Sequence, residues 1–538
     1  MQTTDASTRD AAPLWAKVID HTRCIGCHAC TTACKSENEV PLSVTRTYVK
    51  YVDTGRFPQA RRSFQVTRCN QCDDPPCVDA CPTAAMYRRP DGIVDFDKSI
   101  CIGCKACIAA CPYDAIFINP EDSSAEKCNF CAHRLDVGLE PACVVVCPTE
   151  AILVGDMNDP LSAVSGIVSR EAVTVRRPEK ETRPKLFYKG ADQVTLDPLA
   201  ARRPDGGLFM WSEQGNLDHQ VPSGHPGPWN SSAAAVLSYD IPHRAPWDFR
   251  VSLYTFTKSI AAGAYLAPLL LGMLGLLPFT SWSWGVGAPL VALAALAVTG
   301  ALLVWDLEHP ERFWMVLLKP QWRSWLVRGG FIITAFGGLL AAHIGASWIG
   351  RADLTPALGW VGGPLAAMTA VYTAYLFAQA RARDLWQSPL LPAHLLVQAA
   401  VAGGAVLVLL GVVTGGGAGG APAGLGAAAG ATAASPGAAT GPGAQAAMVA
   451  FLRVSLAVHL LLVLGEASMR HPTAHAALAA RAMTHGAYAH FFWPGLGLAV
   501  IGIAFAAGTP GIAALAALGS LLLYEHAFVQ AGQSVPLA

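Results

Sequence analysis

The sequence has little charge, and it has no cysteine over most of its length. Charged residues make up 14% of the chain and the formal net charge is zero, which argues against a nucleic-acid partner. We find no nucleophile motif, no dinucleotide glycine fingerprint and no phosphate loop, so a substrate-converting site is not expected on this chain. All sixteen cysteines lie within the first 147 residues. Their chemistry is therefore confined to an N-terminal region.

The cysteines form four groups of four. The first and third groups read C-x2-C-x2-C-x3-C, the run that binds [4Fe–4S] clusters in bacterial ferredoxins, and the second and fourth lengthen one spacer. Each of the four irons of a cubane takes one soft thiolate, so sixteen thiolates suit four clusters and leave none over. In chain order the groups are Cys24, Cys27, Cys30, Cys34; Cys69, Cys72, Cys77, Cys81; Cys101, Cys104, Cys107, Cys111; and Cys128, Cys131, Cys143, Cys147.

Zinc and disulfides are the alternatives to iron–sulfur clusters. Zinc ribbons use CxxC pairs and not groups with a constant x3-C end. A disulfide knot would need a secretory leader, and the N-terminal residues lack the apolar stretch of one. The spacing therefore predicts iron–sulfur clusters and an electron-carrying function.

The C-terminal half is rich in Leu, Ala, Gly and Val and contains long uncharged runs. A membrane-spanning helix needs about 20 apolar residues, and several runs reach that length. We predict eight spans, with seven possible because the last two are short and could form one re-entrant unit. The spans are 256–278, 285–305, 327–349, 356–378, 390–413, 446–467, 491–508 and 511–529, with a low-complexity loop at 414–444.

Lysine and arginine counts predict the orientation in the cell membrane. With eight spans, eleven of these residues lie near the ends of the spans on the N-terminal side, and Arg351 alone lies on the other side. The positive-inside rule then places the N-terminal region in the cytoplasm. The eleven residues are Arg244, Arg250, Lys258, Arg312, Lys319, Arg323, Arg328, Arg381, Arg383, Arg470 and Arg481.

Both halves resemble known families. The four cysteine groups resemble the four-cluster electron-transfer subunit of complex iron–sulfur molybdoenzymes, such as polysulfide, thiosulfate and dimethyl sulfoxide reductases. The membrane half resembles the polysulfide-reductase (NrfD-type) quinone-binding anchor. These subunits are normally separate chains, and members of the family often face the periplasm, unlike the prediction here. The second resemblance is carried by residues 247–250, 254–258, 305–313, 324–325, 329–330 and 465–466.

The resemblance implies a fold class and domain bounds. We expect an α+β ferredoxin-like iron–sulfur domain, built from two bacterial-ferredoxin-type units, followed by an all-α polytopic membrane domain of about eight helices. The expected bounds are 1–195 for the iron–sulfur domain, 196–250 for a linker and 251–538 for the anchor.

The resemblance also implies how the ligands are shared, because the first group pairs with the fourth and the second with the third. Some relatives have tryptophan in place of one third-group cysteine and hold a three-iron cluster. Cys104 fills that place here, so four [4Fe–4S] clusters are expected. The implied sets are Cys24, Cys27, Cys30 with Cys147; Cys34 with Cys128, Cys131, Cys143; Cys69, Cys72, Cys77 with Cys111; and Cys81 with Cys101, Cys104, Cys107.

Ionisable residues at the cytoplasmic ends of the spans are candidates for a quinone site, because a quinone needs hydrogen-bond donors and a group that exchanges protons. Menaquinone is the expected quinone. The alternative is that some of these side chains only reach the lipid headgroups or form ion pairs. The candidates are Lys258, Asp306, Glu308, His309, Arg312 and Glu466.

Four histidines and one arginine lie inside the spans. The histidines are interpreted as buried side chains satisfied by neighbours, and no haem is expected. Arg453 could line a polar cavity or proton path, or pair with a carboxylate. The histidines are His343, His394, His459 and His526.

The sequence thus predicts an electron-transfer and membrane-anchor subunit of a quinone-linked oxidoreductase. It would relay electrons between a menaquinol/quinone pool and a separate molybdopterin-containing catalytic subunit through four [4Fe–4S] clusters. A stand-alone exchanger between quinone and a soluble donor is the alternative. A proton-pumping module is a weaker one, because few charged residues lie within the spans.

Overall fold

A computed structural model describes residues 12–55, 58–201, 235–414 and 442–538. The predicted loop 414–444 lies outside the described residues except at its two ends. Within the described residues, an N-terminal α+β region is followed by a bundle of long apolar helices. The fold class expected from the sequence is confirmed.

The N-terminal region is built from short strands around the cysteine loops. One sheet has the order β8-β1-β10-β9, a second has the order β11-β2-β3, and two small hairpins pair β4 with β5 and β6 with β7. The strands are β1 Trp15–Asp20, β2 Thr47–Thr54, β3 Arg61–Arg68, β4 Met86–Arg88, β5 Val94–Phe96, β6 Ile116–Ile118, β7 Ala125–Lys127, β8 Ile152–Asp156, β9 Val173–Thr174, β10 Leu186–Lys189 and β11 Val236–Tyr239.

Short helices follow or contain the cysteines, because the chain turns back after wrapping three ligands and the next cysteine lies about one helical turn away. They are α1 Ala29–Glu37, α2 Pro76–Ala80, α3 Ala106–Ala110, α4 Ala132–Leu135 and α5 Ala142–Val145. Two more short helices, α6 Ala163–Arg170 and α7 Gln193–Leu196, come after the last cysteine group.

Strand β11 lies in the segment predicted as a linker. It pairs antiparallel with β2, with Leu237 opposite Val52. The described part of that segment is therefore attached to the iron–sulfur region by a strand before the first long helix begins at Phe249. The expected domain bounds stay a prediction.

The helical region begins at α8 Phe249–Met273 and ends with α17 Pro510–Gln533. Among the described residues, seven helices are long and apolar enough to cross a membrane, and α15 with α16, bent by 68° between them, can make an eighth. The remaining helices are α9 Ala288–Trp305, which a π-helical turn extends back to Ser283, α10 Met315–Leu318, α11 Trp325–Trp348, α12 Thr355–Gln379, α13 Leu391–Val413, α14 Pro442–Ser468, α15 Ala474–Thr484 and α16 Ala489–Phe505.

Contacts at the helix ends favour eight crossings. The C-terminal end of α14 brings Glu466 to Ser388, and the loop holding Ser388 also pairs Asp384 with Lys180 of the iron–sulfur region. The C-terminal end of α17 brings the side-chain amide oxygen of Gln533 within 3.1 Å of Trp247 N. Both helices therefore run toward the iron–sulfur region, so the segment between them returns through α15 and α16.

The break near the C-terminus differs from the expectation. The sequence suggested a re-entrant unit made of the last two spans, separated by the turn at 508–511. In the structure the bend lies earlier, between α15 and α16, and α17 is a full helix of 24 residues. The difference arises because the polar residues at the end of α17, among them Glu525 and Gln533, are buried against other helices, which local hydropathy does not register.

Small residues let the central helices α8 and α13 approach closely. A Cβ atom at Gly263 would collide with the Ala399 carbonyl oxygen and lie 2.7 Å from Gly403 N. In a membrane the hydrophobic effect does not drive helices together, because the lipid tails are as apolar as the side chains. Close backbone contact instead stabilises the helix pair through van der Waals packing. The α8–α13 contact therefore needs glycine on both helices.

We expect Gly263→Val to destabilise the protein by about 1–3 kcal/mol, the usual cost of forcing a larger side chain into a packed interface. Thermal unfolding of the purified chain in detergent measures this as a lower Tm. Gly300→Val is the matched control, because no atom lies within 4 Å of a Cβ placed at Gly300. Equal Tm values for the two variants would contradict the close-packing account.

Candidate functional site

The structure brings the cysteines together in four sets drawn from different groups. One cavity is lined by Cys24, Cys27, Cys30 and Cys147, and another by Cys81, Cys101, Cys104 and Cys107. The remaining cysteines lie close enough to interact electrostatically within two further sets, Cys34 with Cys128, Cys131 and Cys143, and Cys69, Cys72 and Cys77 with Cys111. All sixteen are free thiols.

Left-handed backbone residues shape the cysteine loops. Gly26 and His28 have φ values of 70° and 60°, and Gly103 and Lys105 repeat the pattern with 67° and 60°. The repeat arises because the first and third groups share one spacing, and each loop must curl tightly around three ligands. A Cβ atom at Gly103 would also collide with the side chain of Glu308.

Backbone N–H groups point at the cysteine sulfurs. Ala151 N lies 3.2 Å from Cys147 Sγ, Met86 N lies 3.4 Å from Cys81 Sγ, and Ala125 N lies 3.4 Å from Cys101 Sγ. Hydrogen bonds to the sulfurs favour thiolates and are one determinant of iron–sulfur potentials. Burial has the opposite effect, because it raises the pKa of the Cys30 thiol to about 11 and that of the Cys34 thiol to about 12.

Buried cations lie against the cysteines. Arg68 Nη1 lies 2.9 Å from Cys143 Sγ, and Lys17 Nζ lies 3.8 Å from the same sulfur. Burial would raise the pKa of Cys143, but these two cations outweigh it and lower that pKa to about 7. Arg68 is buried, and its Nε and Nη2 atoms make no hydrogen bond within the described residues. A buried unpaired cation is costly, so these residues fit an anionic cluster with four thiolate ligands.

Sequence reasoning missed these cations, although a signal was present. Arg68 directly precedes the second cysteine group and Lys127 directly precedes the fourth. Lys127 is fully buried, and its ammonium donates to the carbonyl of Cys128 at 3.2 Å. A basic residue directly before a cluster-binding cysteine in the sequence therefore indicated a buried positive charge.

The loop of the third cysteine group docks on the chain segment that leaves α9. Glu308 N lies 3.4 Å from Gly103 O, and His309 N lies 3.2 Å from Ile102 O. Arg312 Nη1 donates to Cys101 O at 2.9 Å. The backbone around one cluster site is thus held directly by the membrane region.

A buried ion pair reinforces this junction. Lys105 Nζ lies 3.0 Å from Glu308 Oε1 and 3.5 Å from Asp306 Oδ1, and it donates to Asp306 O at 3.0 Å. Burial raises the pKa of Asp306 to about 6, even though Lys105 acts to lower it. A carboxyl with that pKa can exchange a proton near neutral pH.

Aromatic rings continue from the same cluster site. Trp247 Nε1 donates to Cys104 O at 3.2 Å. The Trp247 ring stacks on Trp386 with centroids 5.6 Å apart, and Trp386 stacks on Phe377 at 4.6 Å. The stack fixes the Cys104 loop against the ends of α8 and α12.

The six predicted quinone residues do not form one group in the structure. Asp306 and Glu308 share Lys105, whereas His309 Nε2 bonds Asp122 O at 2.9 Å and Arg312 holds the carbonyls of residues 98 and 101. Lys258 Nζ is buried in the bundle and donates to Thr373 Oγ1 at 2.9 Å and to Ala370 O at 2.7 Å.

Tyr254 is a further buried polar residue near Asp306 and Lys258. It is one turn from Lys258 on α8, and its buried phenol interacts electrostatically with Asp306 and Tyr372. Its hydroxyl has no hydrogen-bond partner of ordinary geometry within the part of the chain that the structure describes. Tyr254 is among the residues that carry the resemblance to the quinone-binding anchor, but it was not one of the six quinone candidates, because those were chosen as ionisable residues at the ends of spans.

Glu466 lies apart from the other five. Its carboxylate accepts from Ser388 Oγ at 3.3 Å and lies 3.3 Å from His394 Nδ1. His394 in turn contacts His459, while His343 bonds Tyr265 Oη at 3.1 Å and lies 3.2 Å from Trp284 O. His526 packs on the ring of Phe491.

Arg453 is exposed on the outer surface of α14. It makes no hydrogen bond or ion pair with the residues that the structure describes. It therefore does not line the interior of the bundle.

Comparisons with known proteins identify both halves. A model of the family "Polysulphide reductase, NrfD" matches residues 239–512, a "4Fe-4S dicluster domain" model matches 61–157, and a "4Fe-4S binding domain" model matches 21–43.

Curated relatives match a quarter to somewhat over a third of this chain. A tetrathionate reductase subunit of Salmonella typhimurium is 43% identical over 207 residues, which is 37% of this chain and 80% of that protein. A polysulfide reductase polypeptide of Wolinella succinogenes is 44% identical over 179 residues, 33% of this chain and 94% of that protein. The thiosulfate reductase electron transfer subunit of Salmonella typhi is 48% identical over 143 residues, 26% of this chain and 74% of that protein.

The family matches cover the cysteine loops and most of the helical bundle on which one of these loops docks. This polypeptide belongs to the NrfD polysulphide reductase family, and it joins in one molecule an iron–sulfur electron-transfer subunit and the NrfD-type membrane anchor of molybdoenzyme-type reductases.

Proposed function

We propose that this chain relays electrons between a membrane quinone pool and a separate molybdopterin-containing catalytic subunit. The observation that carries the proposal is the junction at Lys105, where the loop of one cysteine set meets the carboxylates that end α9. A quinone bound there could exchange electrons and protons at one place. Menaquinone is the expected quinone.

Four [4Fe–4S] clusters would be held by the four cysteine sets that the structure brings together. A cluster of this kind accepts and releases one electron. The protein supplies thiolates, backbone N–H groups directed at sulfur, and buried cations such as Arg68 and Lys17. These groups stabilise anionic clusters away from water.

We place the quinone headgroup among Asp306, Tyr254 and Lys258. The Tyr254 hydroxyl is unpartnered within the described chain and can donate to a quinone carbonyl. Lys258 can donate to a second carbonyl, and Asp306 can accept the proton of a quinol hydroxyl. In this proposal Glu308 positions Lys105, and His309 and Arg312 anchor the loop to the iron–sulfur region.

We place the catalytic partner at the opposite end of the cysteine region. Cys27 is exposed, and Ile25 beside it is 57% exposed. Val145, two residues before Cys147, is 63% exposed. Exposed apolar side chains around a ligand set suit a protein interface, and the reductase subunits among the relatives support a catalytic partner.

We further propose that the iron–sulfur region faces the cytoplasm. The support is the charge asymmetry of the sequence, with eleven basic residues on the side of the iron–sulfur region and Arg351 on the other.

Arg68→Met should lower the midpoint potential of the cluster bound by Cys143, because a reduced cluster carries one more negative charge and loses a buried counter-charge. We expect a shift of roughly 60 mV, which corresponds to a tenfold change for a one-electron couple. Redox titration followed by electron paramagnetic resonance measures it.

Arg62→Met is the control for that experiment. Arg62 lies on the same strand β3, but it is exposed and pairs with Asp53. The potentials should be unchanged in this variant. Intact clusters with unchanged potentials in Arg68→Met would contradict the counter-charge role.

Asp306→Asn should slow cluster reduction by a naphthoquinol by about a hundredfold, the lower end of the contribution of a general base. A carboxyl must be ionised to accept a proton, and the pKa of Asp306 is about 6. The wild-type rate should therefore rise between pH 5 and pH 7, and the variant should lack this rise.

Stopped-flow absorbance of the clusters measures these rates. Asp353→Asn, at an exposed aspartate paired with Arg351, should behave as wild type. The assignment of Asp306 fails if its variant keeps both the rate and the pH profile of the wild type.

A further inference from the structure

A row of buried polar side chains runs between helices α13, α14 and α17. We call it the polar column, and it consists of Glu466, His394, His459, Gln398, Ser520 and Glu525. All but Glu466 are at most 3% exposed, in a bundle whose other side chains are mainly apolar. Burying so many polar groups in a membrane domain is costly and usually marks a path for ions or substrate.

The lower half of the column is a continuous chain of close contacts. Ser388 Oγ donates to Glu466 Oε1 at 3.3 Å, and Glu466 Oε2 lies 3.3 Å from His394 Nδ1. His394 Nε2 lies 3.2 Å from His459 Nδ1. Glu466 is half-buried, with 17% of its side chain exposed, so it connects the chain of contacts to the surface.

The two contacts of His394 use opposite nitrogens of its ring. An imidazole can accept a proton at one nitrogen while it releases a proton from the other, so it can pass protons without rotating far. His394 therefore has the geometry of a relay between a carboxylate and a second imidazole. The Tyr524 hydroxyl, 3.5 Å from His394 Nδ1, adds a further polar neighbour.

The upper half of the column contains buried polar atoms without partners. Gln398 and Ser520 lie one helical turn beyond His394 and Tyr524 on their helices. Gln398 Oε1, Ser520 Oγ and Glu525 Oε2 make no hydrogen bond within the described residues. Buried polar atoms are almost always satisfied, so water molecules among these three are the expected partners.

The column reaches the proposed quinone site through α8. Ser259 Oγ donates to Glu525 Oε1 at 3.3 Å, and the neighbouring Lys258 is attracted electrostatically to Glu525. Lys258 is one of the residues that we place around the quinone headgroup. The column thus has one end at the surface and the other beside the site where protons are exchanged.

The column does not continue across the bundle. Ser520 lies thirteen residues before the end of α17, about 20 Å along the helix. Beyond it the same helices pack through an apolar cluster that includes Leu452, Leu456, Ala514 and Ala517. Within the part of the chain that the structure describes, the path therefore opens toward the iron–sulfur side alone.

We propose that the polar column conducts protons between the quinone site and the aqueous phase on the iron–sulfur side. This inference rests on the proposed quinone function. When a quinol is oxidised, its two electrons go one at a time to the clusters. One of its two protons passes to Asp306, and the other leaves through Glu525, His459 and His394 and is released at Glu466. Quinone reduction takes up two electrons and two protons by the reverse route.

Cluster reduction by menadiol tests the proposal, with the full chain in lipid nanodiscs and rates measured in H2O and D2O. Glu466→Gln and His394→Gln should lower the maximal rate about tenfold or more and enlarge the solvent isotope effect. The menadiol concentration for half-maximal rate should not change, because the column does not contact the quinone. Glu466→Asp should keep most of the rate.

His343→Gln is the matched control, because His343 is equally buried but bonds Tyr265 and Trp284 away from the column. It should keep the wild-type rate. Wild-type rates and isotope effects in both column variants would overturn the proton path and leave the quinone function standing. A wild-type chain with full clusters that menadiol does not reduce would overturn the quinone function and this inference with it.

Discussion

The contact of the buried Lys105 with the buried Asp306 and the exposed Glu308 is the interaction on which the functional account depends. It joins a residue inside a cysteine loop to the end of a membrane helix. Lys105 and Asp306 are both buried, so removal of the Lys105 charge would leave the Asp306 carboxylate buried and uncompensated. The backbone contacts of residues 308 and 309 and the Trp247–Cys104 hydrogen bond act at the same place. One set of cysteines is thereby fixed at the edge of the bundle.

Joining the two regions in one chain changes how this junction forms. Docking of the two regions is intramolecular. It therefore avoids the entropic cost of lost translational freedom that association of two separate subunits carries. Strand β11 pairs with β2, and the helix that follows begins at Phe249, so the attachment lies close to the junction. Apolar contacts add to the junction, where Ile102 packs with Val316 and Val327. Buried cations such as Arg68 and Lys127 lie around the cysteines and provide positive charge for anionic groups bound there.

Much of this architecture could be predicted from the sequence because its signals are local. Cysteine spacing predicts the loops that bind clusters, and long apolar runs predict membrane-spanning helices. The fold class predicted from these two signals was confirmed. The tertiary arrangement of polar groups was not predictable in this way. Glu466 was grouped with Asp306 because both end a span, yet it pairs with His394 on a different helix. The bend between α15 and α16 and the full length of α17 also depend on packing between distant segments. Tyr254 was part of the resemblance but not of the quinone candidates, since the burial of its hydroxyl without a hydrogen bond of ordinary geometry is visible only in the structure.

The central claim is that this chain connects a quinone pool to a separate catalytic subunit. The most direct test is anaerobic purification of the tagged chain from its native membranes, with co-purifying proteins, iron, and molybdenum or tungsten quantified together. The account predicts a stoichiometric large subunit that carries one of these two metals. A chain that carries iron and quinone but yields no such subunit, even after gentle extraction and crosslinking, would contradict the claim and favour a stand-alone electron exchanger.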